Sequence, residues 1–263
     1  MHFQGSESGM NRLMGKIALV TGGGRGIGRA IAKRLAAEGA IVAVHYGANR
    51  DAAEQTVRDI AEAGGRAFPV GANLDSVRGV GQLAESFRSE LIRLTGADRF
   101  DILVNNAGIP SSPPMEETTE ADFDRLLAVN VKAPFFLVKR TLPMMRDGGR
   151  IINISSGVTR IAFPHIMAYN MTKGAINTFT LHLAALLGPR QIAVNAVMPG
   201  IVDTDATASW LHTPEGRKLA ADMSAFGRAG EPADIADVVA FLASPDGRWI
   251  TGQCLDATGG AHL

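Results

Sequence analysis

One cysteine, two tyrosines and two tryptophans are the whole supply of those residues in a chain of 263. The lone thiol, Cys254, rules out an intrachain disulfide and any cysteine-based zinc spacing, and it suits a reducing compartment. No apolar run approaches the ~20 residues that cross a bilayer, and no secretory signal opens the chain. Neither sign of charge is in excess, because 26 Lys and Arg face 26 Asp and Glu. Nothing in that balance draws the chain to nucleic acid or to an anionic membrane. Linkers rich in proline, serine or charge are missing, as are low-complexity tracts and short repeats. The expectation is a cytoplasmic protein without a metal centre, whose partners are small molecules and copies of itself.

What is present is alternation. The chain is long enough to bury a large core, and apolar strand-like runs recur between stretches of helical spacing. Strands are expected at 16–20, 40–46, 66–72, 100–106, 149–156, 191–200 and 252–260. Helices are expected at 29–39, 49–65, 79–94, 120–145, 167–188 and 232–245, with a mixed polar stretch at 204–230. Strands that are apolar throughout and joined by helices lie parallel and are buried on both faces. The expected fold is α/β, a single doubly wound Rossmann-type parallel sheet of about seven strands with helices on both faces. Ligands of such sheets bind at the carboxyl ends of the strands. The opening "MHFQGSESGM" has no periodicity and resembles a tag and protease-site remnant. Residues 1–13 are therefore set aside as a leader, and 14–263 are taken as one catalytic domain.

The first strand runs into "TGGGRGIG", which has Gly22, Gly26 and Gly28 at TGxxxGxG spacing. Glycines there let the backbone approach a dinucleotide pyrophosphate, which the free N–H groups and dipole of the next helix attract. Helix–strand packing alone would also want glycine, but the strand–turn–helix setting favours the dinucleotide. The end of the second strand bears on which dinucleotide. A carboxylate there would bind the adenosine ribose hydroxyls and repel a 2′-phosphate. The chain instead has His45, Tyr46, Gly47 and Ala48, with no acid before Asp51. Arg25, with Arg50 as a lesser second, supplies positive charge for a phosphate. NADP(H) is favoured, and NAD(H) is the alternative.

The segment 167–188 reads as a helix with one formal charge, Lys173, four residues after Tyr169. That spacing puts phenol and ammonium on one face. A plain surface pair has the same spacing, so the pair gains meaning from its company. Ser156 stands thirteen residues before Tyr169, and Asn130 precedes both.

"TGGGRGIG" at 21–28, "NNAG" at 105–108, Asn130 in "AVNVKAPFF", "INISS" at 152–156, "YNMTK" at 169–173 and "PGIVDT" at 199–204 stand in order. Their order and spacing resemble the short-chain dehydrogenase/reductases, from about residue 14 to the C-terminus. Within that family the chain looks most like the NADPH-linked ketone reductases near 3-oxoacyl-[acyl-carrier-protein] reductase. The resemblance implies hydride transfer between NADP(H) and a small-molecule ketone or secondary alcohol. An NAD-linked alcohol dehydrogenase running oxidatively is the alternative, and a dinucleotide sensor without turnover is a more distant one.

The resemblance also implies a catalytic set of Asn130, Ser156, Tyr169 and Lys173. Tyr169 would be the acid in reduction and the base in oxidation, its phenol lowered from ~10 by the neighbouring Lys173. Lys173 would also bind nicotinamide ribose hydroxyls, and Ser156 would donate to the substrate oxygen. Asn130 would hold a water linking Lys173 to solvent. Cofactor contacts are implied at Gly22, Arg25, Gly26, Ile27 and Gly28, and at Tyr46, Gly47, Asn73 and Leu74. Further contacts are implied at Asn106, Ala107, Gly108, Tyr169, Lys173, Pro199, Gly200, Val202 and Thr204.

Departures from the family pattern are informative. Asn73 stands where many relatives have an aspartate, with Asp75 two residues on. Arg160 stands near a usual glycine and is free to face the substrate mouth or solvent, while His165 reads as a packing or surface residue. The substrate pocket is expected from 109–110, 157–163 and 204–227. In the last segment Trp210, Leu211, Met223 and Phe226 suit the inner face of a lid or an ordinary amphipathic helix pair. Of two surface arginines that carrier-dependent relatives use, Arg190 is present and Asp147 replaces the other. That favours a free carbonyl compound. Uncharged faces on 167–188 and 120–145 need covering, and the resemblance points to a homotetramer, unless later segments of the same chain cover them.

Overall fold

The computed structural model describes residues 11–262. Among them are seven strands: β1 (Ile17–Val20), β2 (Ile41–Tyr46), β3 (Arg66–Gly71), β4 (Phe100–Asn105), β5 (Met145–Ile154), β6 (Ala193–Pro199) and β7 (Cys254–Ala257). They form one sheet in the order β3-β2-β1-β4-β5-β6-β7, and every pairing is parallel. Parallel neighbours require crossover connections. These are made by α1 (Gly26–Ala37), α2 (Arg50–Glu62), α3 (Val77–Thr95), α4 (Glu120–Leu127), α5 (Ala133–Thr141) and α6 (Met167–Leu187). Between β6 and β7 lie α7 (Ala208–Leu211), α8 (Pro214–Met223) and α9 (Pro232–Ala243).

The apolar strands are explained by two cores. Ala18 and Val20 of β1 face Ile31 and Leu35 of α1, Ile60 of α2 and Val239 of α9. Ile17 and Leu19, pointing the other way, join Leu83 and Phe87 of α3, Leu137 of α5 and Leu183 of α6. Successive side chains alternate faces, and both faces are covered. Each fully buried Leu, Ile or Phe contributes roughly 2 kcal/mol of transfer free energy. The doubly wound parallel sheet expected from the sequence is the fold observed.

Three boundaries differ from the sequence reading. Residues 1–10 of the expected leader lie outside the described residues, but Leu13 is buried and Arg12 bonds the buried Glu38 at 2.5 and 2.9 Å. The packed chain thus begins ahead of residue 14. The helix expected at 120–145 is interrupted by a π turn, Ala128–Lys132, and gives way at Met145 to β5. The mixed stretch at 204–230 contains α7 and α8. The latter starts where the Thr213 hydroxyl accepts the Gly216 N–H ahead of Pro214 in the first turn.

No helix of the described residues is long and apolar enough to cross a membrane. The chain winds outward from β1 through β2 to β3, then returns to β4 on the other side of β1. A crevice must open at the carboxyl ends of those two strands, which is where ligands of such sheets bind.

Candidate active site

A cleft of about 670 Å³ occupies that crevice. Its floor is the turn after β1, where Gly22 and Gly26 take left-handed φ values of 66° and 51°. Arg25 caps α1 through its backbone alone, without a side-chain hydrogen bond. The first N–H groups of α1 are therefore left for an anion. A Cβ on Gly28 would stand 2.1 Å from the Gly22 oxygen and 2.4 Å from Asn106 Nδ2. The opposite wall is tied to the same turn, because the N–H groups of Asn106 and Ala107 donate to Thr21 Oγ1 at 2.9 and 3.0 Å. Free donors at a helix start fit a dinucleotide pyrophosphate, and the glycine at 28 lets α1 pack directly on the turn that presents them.

Every cofactor position expected from the resemblance lines this one cleft, from Gly22, Arg25, Gly26, Ile27 and Gly28 through Tyr46, Gly47, Asn73 and Leu74. Asn106, Ala107 and Gly108 follow, and Pro199, Gly200, Val202 and Thr204 close the far side. Arg25 is exposed at its edge. Arg50 is instead turned to Glu54 at 2.7 Å, so Arg25 is the cation that the cleft holds at this end. Asn73 is braced by Asp75, accepting its N–H at 3.1 Å and donating to its carboxylate at 2.8 Å.

Tyr169 and Lys173, one helical turn apart on α6, are both buried, and Ser156 follows the end of β5. Lys173 Nζ donates to the Ile154 oxygen at 2.8 Å and lies 5.6 Å from the centre of the Tyr169 ring. Burial pushes the Tyr169 phenol up to about 12, with the Ser156 hydroxyl acting in the opposite sense. Burial also pushes the Lys173 ammonium down to about 8. Burial therefore governs the Tyr169 phenol here, with Ser156 as the group that opposes it.

Asn130 sits inside the π turn and is buried. Its Nδ2 donates to the Ile109 oxygen at 3.0 Å and to Thr172 Oγ1 at 3.1 Å, while its Oδ1 accepts the Ile109 N–H at 2.8 Å. Both amide donors and one lone pair are committed to protein. The side chain clamps the chain beyond "NNAG" to α6. A π turn inside a longer helix, common at functional sites, is what aims it there.

The remaining wall carries the apolar side chains of Pro110, Ile161, Phe163, Ile166, Trp210, Leu219 and Met223, with Asp205, Thr207, Ser224 and Arg228 beside them. Of the four apolar lid residues expected, Leu211 is buried in the fold and Phe226 is 75% exposed, so Trp210 and Met223 alone face the cleft. Arg160 turns away from the mouth and pairs with Asp256 on β7. Arg190 is also spent internally, on Asp147 at 2.7 Å and the Met145 oxygen at 2.6 Å. His45, passed over in the sequence, proves to be buried beneath the glycine turn, and that burial lowers it to about 4. A lone histidine among the apolar residues of β2 was the available signal.

The family profile described as Enoyl-(Acyl carrier protein) reductase matches residues 22–262. An uncharacterized oxidoreductase of Methylorubrum extorquens is 42% identical over 258 residues, 96% of this chain and 100% of its own length. The chain is a short-chain dehydrogenase/reductase. Among solved structures, this short-chain dehydrogenase/reductase is 52% identical to the angucycline C-6 ketoreductase LanV, determined with bound NADP. The two superpose with a TM-score of 0.91, covering 95% of this chain and 96% of LanV. The promiscuous reductase LugOII catalyses keto-reduction at C1 during lugdunomycin biosynthesis. It is also 52% identical, with a TM-score of 0.93 over 96% of this chain and 100% of LugOII.

Proposed function

We propose that this short-chain dehydrogenase/reductase transfers a hydride between NADP(H) and the carbonyl carbon of a ketone carried on an apolar ring system. One observation carries the reading. Ser156, Tyr169 and Lys173 converge on the wall of the same cleft whose floor is the uncapped start of α1. NADP rather than NAD is supported by Arg25 at the cleft edge, by the lack of an acid after β2, and by the NADP held in LanV. The apolar residues Phe163, Ile166, Trp210 and Met223 on the wall support a flat, hydrophobic ketone, and the ketoreductase activities named for LanV and LugOII support a keto group as the reacting function.

Bound here, the dinucleotide supplies the hydride. The chain supplies the proton and its control. As hydride reaches carbon, the π electrons of the carbonyl move to oxygen, and Tyr169 donates its phenolic proton there to give the alcohol. A phenol held at about 12 is protonated at neutral pH, ready for reduction. The Ser156 hydroxyl donates to the same oxygen and stabilises charge as it develops. Lys173 stabilises the phenolate left behind until solvent reprotonates it. Asn130 acts by position, holding Ile109 and Thr172. Arg190 is occupied by Asp147, which supports a free ketone over one attached to an acidic carrier. The exposed Phe135, Met171, Leu181 and Leu186 on α5 and α6 support assembly into a homotetramer, and the single cysteine supports a cytoplasmic setting.

The test is oxidation of NADPH against NADH over a panel of polycyclic and small ketones, with Tyr169→Phe as control. The expected result is turnover that prefers NADPH and falls at least ~10³-fold in the variant, in keeping with loss of a positioned proton donor. Dinucleotide binding with no turnover of any ketone or alcohol would overturn the reading in favour of a sensor.

A further inference from the structure

We infer that His45 is a positioning residue for the dinucleotide, its neutral imidazole fixing the phosphate-binding turn and the adenosine wall of the cleft relative to each other. This rests on the dinucleotide reading above. The ring is 2% exposed and sits between two backbone groups from different parts of the chain. The Gly22 N–H donates to Nδ1 at 3.1 Å, and Nε2 lies 3.0 Å from the Ala72 oxygen. A peptide N–H can only donate and a carbonyl can only accept. One tautomer satisfies both, with Nδ1 bare and the proton on Nε2. Protonation would set two N–H groups against each other at Gly22, and burial already disfavours it.

The groups that His45 holds are those on which the cleft depends. The backbone oxygen of His45 accepts the Gly23 N–H at 2.9 Å, so two successive N–H groups of the turn are committed to this one residue. The donors left free are those of the first turn of α1. The Gly22–Gly23 peptide is gripped from its other side as well, where the Gly22 oxygen accepts from Asn106 Nδ2 at 3.2 Å. Clearance is small, given the 2.1 Å that separates the Gly22 oxygen from a Cβ built on Gly28. A shift of a few tenths of an ångström at Gly22 therefore changes how closely a pyrophosphate can approach. At the other end of the ring, Ala72 immediately precedes Asn73 and Leu74, both of which line the cleft. A single buried ring thus spans two walls that contact opposite parts of one ligand.

A merely structural histidine would lower the melting temperature and leave dinucleotide affinity in the folded protein unchanged. The experiment therefore measures NADPH Kd by fluorescence, together with KM for NADPH and kcat, in three variants checked for folding by circular dichroism. His45→Leu keeps bulk and loses both hydrogen bonds, and its Kd and KM are expected to rise roughly tenfold while kcat at saturating NADPH changes less than about twofold. In His45→Asn the amide oxygen takes the place of Nδ1, so most of the affinity should return. In His45→Gln the longer amide reaches toward Ala72 instead, and binding should stay weaker than in His45→Asn. A folded His45→Leu with wild-type Kd would overturn the inference, as would His45→Gln binding as tightly as His45→Asn. Should His45→Leu not fold, the asparagine and glutamine variants decide the matter alone. A wild-type protein that binds neither NADPH nor NADH would instead sink the dinucleotide reading itself.

Discussion

Lys173 shows what a buried ammonium costs a fold. Its ammonium is buried, and among the described residues its hydrogen-bond partner is the Ile154 oxygen. A carboxylate partner would stabilise it, and none is within salt-bridge distance of it among the described residues. With the folded value at about 8 against 10.5 unfolded, the folded state resists the proton that the unfolded chain readily binds. At neutral pH both states are protonated and the fold bears the burial penalty. As pH rises from about 8 to 10.5, the unfolded state holds more protons and stability increases. Lys173→Met is therefore expected to abolish turnover yet stabilise the dinucleotide-free protein by up to ~3 kcal/mol at pH 7. That advantage should shrink above pH 8, as urea unfolding at several pH values would show. A variant less stable than wild type at pH 7 would contradict this account. Tyr169, Lys173 and Ser156 were legible in the sequence because helical spacing and motif order are local. His45 was not, because both partners of its ring come from distant turns of the chain.

At the scale of elements, the glycine turn and the interrupted helix behave differently. The turn was readable because glycine is required wherever φ is positive or backbones touch, and Gly28 meets the second condition most sharply. Gly28→Ala would press a methyl carbon against the Gly22 oxygen at 2.1 Å. The expected result is destabilisation of about 1–3 kcal/mol from overpacking, with NADPH affinity falling in the population that still folds. Denaturant melts and fluorescence titration measure the two effects, and an unchanged midpoint would show that the turn is not built as described. The helix at 120–145 was misread as continuous because its apolar spacing carries past Asn130, although Pro134 in the first turn of α5 and Pro143 in the turn before β5 marked breaks. Hydrogen bonds with Ile109 and to Thr172 hold the Asn130 side chain within the π turn, and no local propensity encodes those partners. The same holds at Met145, where pairing with Phe100 begins β5 earlier than residue 149.

For the whole molecule, the faces left uncovered matter as much as the cores. Later segments of the chain do not cover the outer side of α6, where Leu181 is 58% and Leu186 70% exposed. Buried between copies, two such side chains per subunit would each contribute roughly 1.5–3 kcal/mol. If the proposed assembly forms through this face, the double variant Leu181→Glu/Leu186→Glu is expected to sediment as smaller species than the wild type. A monomeric wild type would refute the assembly outright.

What the sequence determined by itself was the repeating order of strands and helices, the glycine turn, and the pairing of Tyr169 with Lys173, all set by spacing along one segment. What only the tertiary structure decided was which groups are desolvated and which are spent. Arg160 went to Asp256 and Arg190 to Asp147, while Arg25 stayed at the cleft edge. The phenol of Tyr169 rose where its neighbour alone would have lowered it. Charge pairing and burial depend on distances between residues remote in the chain, and those distances exist only once the sheet has closed around them.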